Sequence, residues 1–192
     1  MSVQERKARE RAERERLIVA AARELAEQRG WDAVTTRRLA ERIEYSQPVL
    51  YSHFRGKREI TGAVALEGAT DLAAAVRAAA DAANSPRGRV AALARAYLDF
   101  AAHHPAVYDA LFQLDGGLAY AQEDTPQPLK DAFAALLESL GEVAGDGVEP
   151  GLFTETFWAS LHGLATLTRA GRLPPEHTQQ RMELLVDRLA TL

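Results

Sequence analysis

Residues 35–57 read TTRRLAERIEYSQPVLYSHFRGK, and their spacing predicts a short helix, a tight turn and a second short helix. Thr35 is placed to cap the first helix, its hydroxyl taking a free backbone N–H of the opening turn. Leu39 and Ile43, four residues apart, face inward together. Ser46 is the expected N-cap of the second helix, accepting from the Val49 N–H. Pro48 follows where a missing N–H costs little. At about 100° per residue, Leu50 and Phe54 share one side of this helix; Pro48, Val49 and Ser52 lie roughly opposite, flanked by Gln47 and Tyr51.

A helix of this kind can seat its apolar side on a core and turn the other side to the major groove of DNA. Gln can pair with an adenine edge through two hydrogen bonds, and Pro and Val can touch thymine methyls. Tyr51 and His53 can donate to phosphates, and Lys57 can neutralise one. Such contacts position a protein without reading sequence. The same pattern also suits a helical hairpin in an all-α core, with Tyr51 packed and His53 merely satisfied. Periodicity alone leaves both readings open.

Outside this stretch the chain is rich in Ala, Leu, Arg and Glu and has no strand-like alternation, so an all-α fold of about nine helices is expected. The first helix is predicted over about 9–29, with Leu17, Ile18, Ala21, Ala22, Leu25 and Ala26 as its apolar stripe and Gly30 as its stop. A long helix should run from Lys57 to about Ala83. Further helices are expected at 86–104, 106–114, 128–143, 151–170 and 175–191. Residues 115–128, DGGLAYAQEDTPQP, are the most loop-like segment and a candidate for mobility. The domain boundary is placed at 56/57.

The net charge of −4 conceals a division. Residues 1–60 hold 14 Lys/Arg against 10 Asp/Glu, and the remainder holds nine against 17. Local positive charge, not global pI, is what phosphate neutralisation requires. In the Arg-rich start, Arg6, Lys7, Arg9, Arg11, Arg14 and Arg16 alternate with Glu5, Glu10, Glu13 and Glu15. The segment reads as a basic arm or as a solvated, frayed extension of the first helix; the glutamates favour the extension. No apolar run approaches the roughly 20 residues of a membrane span, and the N-terminus lacks a signal-peptide apolar region. The absence of Cys excludes disulfides and thiolate metal sites. A cytoplasmic protein without membrane contact is expected.

The run from Thr35 through Leu39-Ala40-Glu41-Arg42, Tyr45-Ser46-Gln47-Pro48 and Leu50-Tyr51-Ser52-His53-Phe54 to Lys57 resembles the DNA-binding signature of the TetR family of transcriptional regulators. The resemblance covers roughly residues 12–62 and agrees at about a dozen positions. It implies a three-helix helix-turn-helix domain at 1–56 and a ligand-binding and dimerisation domain at 57–192. It further implies base contacts from Gln47, Pro48 and Val49. Phosphate contacts are implied for Tyr51, His53 and Lys57, and for Thr35, Thr36 and Arg37 at the start of the preceding helix. Ser52 completes the candidate DNA face.

Two residues depart from the family pattern. Glu44 replaces the usual turn glycine; at positive φ it would cost about 1 kcal/mol and bring negative charge near DNA. Val49 replaces a frequent Thr, exchanging a hydroxyl contact for a methyl contact.

The acidic remainder holds most of the aromatics. Tyr97, Phe100, His104, Tyr108, Phe112, Phe133, Trp158 and His162 are candidates to line a pocket for a small apolar or aromatic effector; each can equally be core. The segment Phe157-Trp158-Ala159-Ser160-Leu161-His162-Gly163 resembles a Trp/His-Gly motif of one TetR subgroup, and Gly163 suggests a close helix–helix approach. By the same resemblance residues 151–191, with Leu161, Leu164, Leu167, Leu184, Leu185, Val186 and Leu189, should pair with a second copy. The homodimer would then bind a palindromic double-stranded operator.

No catalytic constellation stands out: there is no phosphate loop, G-x-S-x-G or H-E-x-x-H. His103 and His104 are adjacent and point to different helix faces. The expectation is a ligand-responsive regulator, a repressor rather than an activator, with no enzyme activity, cofactor or metal. The alternative is a helical small-molecule-binding protein with weak or lost DNA binding, which Glu44 alone hints at.

Overall fold

A computed structural model describes residues 2–141, 143–145 and 147–190. Among them the ordered elements are helical: α1 Val3–Arg29, α2 Thr36–Arg42, α3 Gln47–Tyr51, α4 Lys57–Asp81, α5 Pro86–His103, α6 Pro105–Phe112, α7 Gln127–Leu140, α8 Pro150–Arg169 and α9 Thr178–Leu189. Short 3-10 turns occupy Trp31–Ala33 and Pro175–His177. The all-α expectation and its count of helices hold among these residues. No described helix is long and apolar enough to cross a membrane.

Packing divides the chain into two compact units, Met1–Gly68 with His104–Pro126 and Ala69–His103 with Gln127–Leu192. This division does not fall at 56/57. The reason is α6, which packs on α1, and α4, which contributes its first half to one unit and its second half to the other.

In the first unit, α1 starts six residues before its predicted start, at a capping box. The Ser2 hydroxyl accepts from the Glu5 N–H at 3.2 Å, and the Glu5 carboxylate accepts from the Ser2 N–H at 2.8 Å. The Arg-rich segment is therefore the helical extension, laced by Arg–Glu pairs one turn apart such as Arg11–Glu15 at 2.9 Å. Ile18, Ala21, Ala22, Leu25 and Ala26 are buried as expected, with Val19 added. Leu17 is a correction: it is 44% exposed, because the buried stripe turns one residue further round the helix. Gly30 ends α1 at φ 75°.

Two contacts seat α6 on the C-terminal end of α1. His104, the N-cap of α6, makes no side-chain cap bond. The Glu27 carboxylate supplies it from α1, accepting from the Ala106 and Val107 N–H groups at 3.1 and 3.2 Å. The buried Trp31 indole N–H donates to the Ala106 carbonyl at 2.7 Å. Residues 113–126 are irregular, against the predicted 115–128, since Gln127 already opens α7, and the segment is tethered. Arg58 pairs with Asp115 at 3.0 Å, and Tyr120 donates to the Leu111 carbonyl at 2.6 Å. Gly62 and Gly116 touch so closely that a Cβ on Gly116 would lie 2.9 Å from the Gly62 Cα.

In the second unit, α5 packs against α7, α8 and α9. Its buried stripe is Val90, Leu93, Ala94, Tyr97, Phe100 and Ala101. Glu149 caps α8, accepting from the Gly151 and Leu152 N–H groups, and these bonds hold its carboxyl below the usual carboxylate range. Of the apolar residues expected to face a second copy, Leu161 and Val186 belong to the core of the chain itself. Leu167 and Leu184 remain 41% and 58% exposed. No close approach is made at Gly163 among the described residues, where a Cβ would meet open space. The α9 helix begins at Thr178 and not at 175, because Pro175–His177 forms a 3-10 turn.

Candidate nucleic-acid interface

The α2–α3 unit is built around two fully buried leucines, Leu39 and Leu50; Ile43 and Phe54 flank them, half-buried. Thr35 caps α2 as predicted, its hydroxyl accepting from the Arg38 N–H at 3.2 Å. The turn between the helices is a Schellman motif. The Tyr45 N–H donates to the Ala40 carbonyl at 2.9 Å, which requires the intervening residue to take left-handed backbone angles. That residue is Glu44, at φ 57°. The departure from glycine thus falls where glycine is conformationally cheapest, and the chain carries the strain.

Ser46 begins α3 with extended angles, but its hydroxyl makes no cap bond, contrary to expectation. Its backbone carbonyl instead accepts from Val49 and Leu50 N–H at 3.0 and 3.3 Å. With Pro48 in the first turn one donor fewer needs capping.

The outward side of α3 is Gln47, Pro48 and Tyr51, all exposed, with Val49 half-buried beside them. Tyr51 is 53% exposed. Its hydroxyl lies 3.4 Å from the Thr36 Oγ1, so the start of α2 and the end of α3 meet at one point. Thr35 and Arg37 are exposed on the same stretch of α2. Arg37 is paired with Glu41 at 2.9 Å; this hydrogen bond and its charge raise the guanidinium pKa further, so the cation is permanent.

Three further candidates are also engaged within the chain. The Ser52 hydroxyl donates to the Val49 carbonyl at 2.7 Å. The His53 side chain is only 5% exposed, with Nδ1 3.3 Å from the Glu15 carboxylate. The Lys57 ammonium donates to the Trp31 carbonyl, leaving two further hydrogens for another acceptor. Sequence reasoning passed over Arg55, whose side chain is 93% exposed in the α3–α4 turn beside Glu59. Its position next to Gly56, in the turn that joins the reading helix to α4, was the available signal.

The effector candidates are distributed over both units. Tyr97, Phe100, Phe133, Trp158 and His162 lie in the second; His104, Tyr108 and Phe112 lie in the first. Tyr108 and Phe112 meet edge to face at 4.9 Å. Tyr97, Trp158 and His162 form a chain. The indole N–H of Trp158 donates to the Tyr97 hydroxyl at 3.1 Å, which is 3.5 Å from the His162 Nδ1. The other imidazole nitrogen lies 3.5 Å from the Thr166 hydroxyl. Burial lowers the His162 pKa from its ordinary 6.5, so the neutral ring prevails at pH 7. Both ring nitrogens of His162 thus face hydroxyls, which can donate or accept.

A tri-helical head whose third helix buries Leu50 and exposes Gln47, Pro48 and Tyr51 has the form of a helix-turn-helix DNA-binding domain. Comparison with known proteins specifies which kind. Residues 18–64 match the model of bacterial regulatory proteins of the tetR family, and residues 90–189 match that of the tetracyclin repressor-like C-terminal domain. This chain belongs to the TetR family of transcriptional regulators.

It is 27% identical over 176 residues to the uncharacterized HTH-type transcriptional regulator Rv0681 of Mycobacterium tuberculosis, covering 90% of this chain and 78% of that one. It is 47% identical to the class G tetracycline repressor protein of Vibrio anguillarum over 47 residues, 24% of this chain and 22% of that protein. The likeness to that repressor is thus confined to a short stretch. A structure of a protein with unknown function from Rhodococcus sp. RHA1 superposes with a TM-score of 0.76 at 26% identity, covering 92% of this chain and 93% of that one.

Proposed function

We propose that this regulator is a homodimeric repressor that reads a palindromic operator with residues 35–57 and releases it on binding a small apolar or aromatic effector. The observation that carries the reading is the sidedness of α3: Leu50 is buried, while Gln47, Pro48 and Tyr51 are exposed on the other side. Gln47 and Pro48, with the half-buried Val49, are placed toward bases. Tyr51, Thr36, Thr35, Arg37 and Lys57 are placed toward phosphates, with Ser52 and His53 serving through their intramolecular bonds to hold that edge in shape. The named repressor similar to the head supports the direction of control.

The second copy docks on residues 151–191, where Leu167 and Leu184 are exposed and Gly163 leaves room for a close neighbour. The effector is sensed by the aromatic residues of the second unit, with Tyr97, Trp158 and His162 as their polar end, and the continuous α4 transmits the change as a shift between head spacings. The functional boundary at 56/57 then separates reading from sensing at the start of the long helix α4.

Fluorescence anisotropy on the DNA upstream of the chain's own gene tests the reading. Salt-sensitive specific binding that Gln47→Ala and Tyr51→Ala weaken supports it. Binding indifferent to both variants, or a stable monomer at micromolar concentration in sedimentation, overturns it. Retained stability with no DNA binding would favour a small-molecule-binding protein that has lost the operator.

A further inference from the structure

Trp31 joins three elements of the first unit: the α1–α2 turn, the start of α4 and the start of α6. Its indole N–H donates to the Ala106 carbonyl in the first turn of α6 at 2.7 Å. Its own carbonyl accepts from the Val34 N–H at 3.1 Å and from the Lys57 ammonium. A carbonyl oxygen has two lone pairs, so both are in use. The ring is buried, and the residue opens the short 3-10 turn Trp31–Ala33.

This seat is fixed from a second side. The Glu27 carboxylate, one turn earlier on α1, accepts from the Ala106 and Val107 N–H groups at 3.1 and 3.2 Å. A buried indole N–H is costly to leave unpaired, so the Ala106 carbonyl holds the ring in place. The tight turn behind the ring then leaves the Trp31 carbonyl little freedom. Lys57 is exposed, and an exposed lysine loses rotamer freedom when it docks on a phosphate. An ammonium already pinned to a backbone carbonyl has lost that freedom in the free protein, and it keeps two hydrogens for a phosphate oxygen.

We propose that Trp31 is a positioning residue for DNA binding: anchored on α6 by its indole, it holds the Lys57 ammonium ready for a backbone phosphate. Trp31 itself touches no DNA. The proposal rests on the reading of Lys57 as a phosphate contact. It makes that contact answer to how α6 is seated on α1.

The chain has three lysines, Lys7, Lys57 and Lys130, so 15N-lysine labelling of the full chain isolates the Lys57 ammonium by NMR, with Lys57→Gln assigning the signal. Its hydrogens should exchange with water more slowly than those of Lys7. Trp31→Phe keeps a ring but deletes the N–H, and it should abolish that difference. Anisotropy on the DNA upstream of the chain's own gene then completes a double-mutant cycle. Trp31→Phe should weaken binding about fivefold alone and less than about 1.5-fold in the Lys57→Gln background. A merely loosened head would weaken both backgrounds alike. Glu27→Ala unseats α6 without altering Trp31. It should weaken binding about threefold, again only while Lys57 is present, and it takes over both measurements should Trp31→Phe fold poorly.

A Lys57 ammonium that exchanges like Lys7, a Trp31→Phe variant that leaves the exchange or the affinity unchanged, or an equal loss with and without Lys57 each overturn the proposal. Salt dependence separates it from the reading beneath it. Lys57→Gln should reduce the slope of log affinity against log salt by about one per head. An unchanged slope removes the phosphate role of Lys57 and the proposal with it. A reduced slope without any effect of Trp31 removes the proposal alone.

Discussion

The α2–α3 head and the Tyr97–Trp158–His162 cluster solve opposite problems. In the head, the anchoring residues and the proposed reading residues are separate: Leu39 and Leu50 are buried, while Gln47 and Tyr51 face outward. In the cluster the proposed sensing residues are themselves anchors. Tyr97 is fully buried, accepts a hydrogen bond from Trp158 and stands beside His162. A residue on a free surface can change its ligand contacts without changing the fold, whereas a residue in a packed core cannot. That difference leaves a short, patterned helix such as α3 legible in the local sequence, while a buried cluster assembled from α5 and α8 is not.

The sharpest way to break this contrast is a pair of tyrosine truncations. Tyr97→Ala should cost about 3–5 kcal/mol of stability in urea unfolding, the range for emptying a large buried site. Tyr51→Ala should change stability by less than about 0.5 kcal/mol. If the two cost alike, anchoring and function are not separated in the head. Tyr97→Phe keeps the ring but removes the acceptor of the Trp158 N–H, and about 1–2 kcal/mol should be lost.

On the head side, Tyr51→Ala should weaken operator binding by on the order of tenfold in anisotropy, equivalent to about 1.4 kcal/mol. Glu44→Gly should gain up to about 1 kcal/mol by relieving the left-handed strain at φ 57°. It should also tighten DNA binding by removing a negative charge. Glu44→Gln isolates the charge effect, since it keeps the strain.

The smallest effect concerns pH. The folded-state pKa of His162 lies below its ordinary 6.5, so the unfolded chain binds the proton more readily. The contribution is intact above that value and is lost as pH falls from about 6.5 through the lowered pKa. His162→Gln should flatten this part of a Tm-against-pH profile, with the head unaffected.

Much of the architecture was legible because helices are local. Apolar spacing, Gly30 and the HTH run placed most boundaries within a few residues. The earlier start of α1 was also readable, since Ser2-x-x-Glu5 is a capping box, but the charge alternation drew attention away from it. The strain at Glu44 was foreseen because the resemblance places a glycine at that turn position, where a positive φ would penalise any other residue.

Less legible was everything that depends on residues distant in the chain. Glu27 and Trp31 lie more than seventy residues from the α6 backbone they hold. His53 reads as a phosphate donor until Glu15 is found beside it. Gly163 suggests close packing, yet its surroundings within the chain are open. The eight effector candidates, uniform as a list of aromatics and histidines, divide between two units because α6 packs with α1.

From the residues alone, then, came the helical periodicity, the family signature and the chemistry available on α3, all properties of backbone geometry within a few residues. Which side chains are consumed by internal partners, which leucines are core, and what Trp31 ties together required the tertiary structure. Those outcomes depend on burial and on pairings across long separations, and helical spacing carries no information about either.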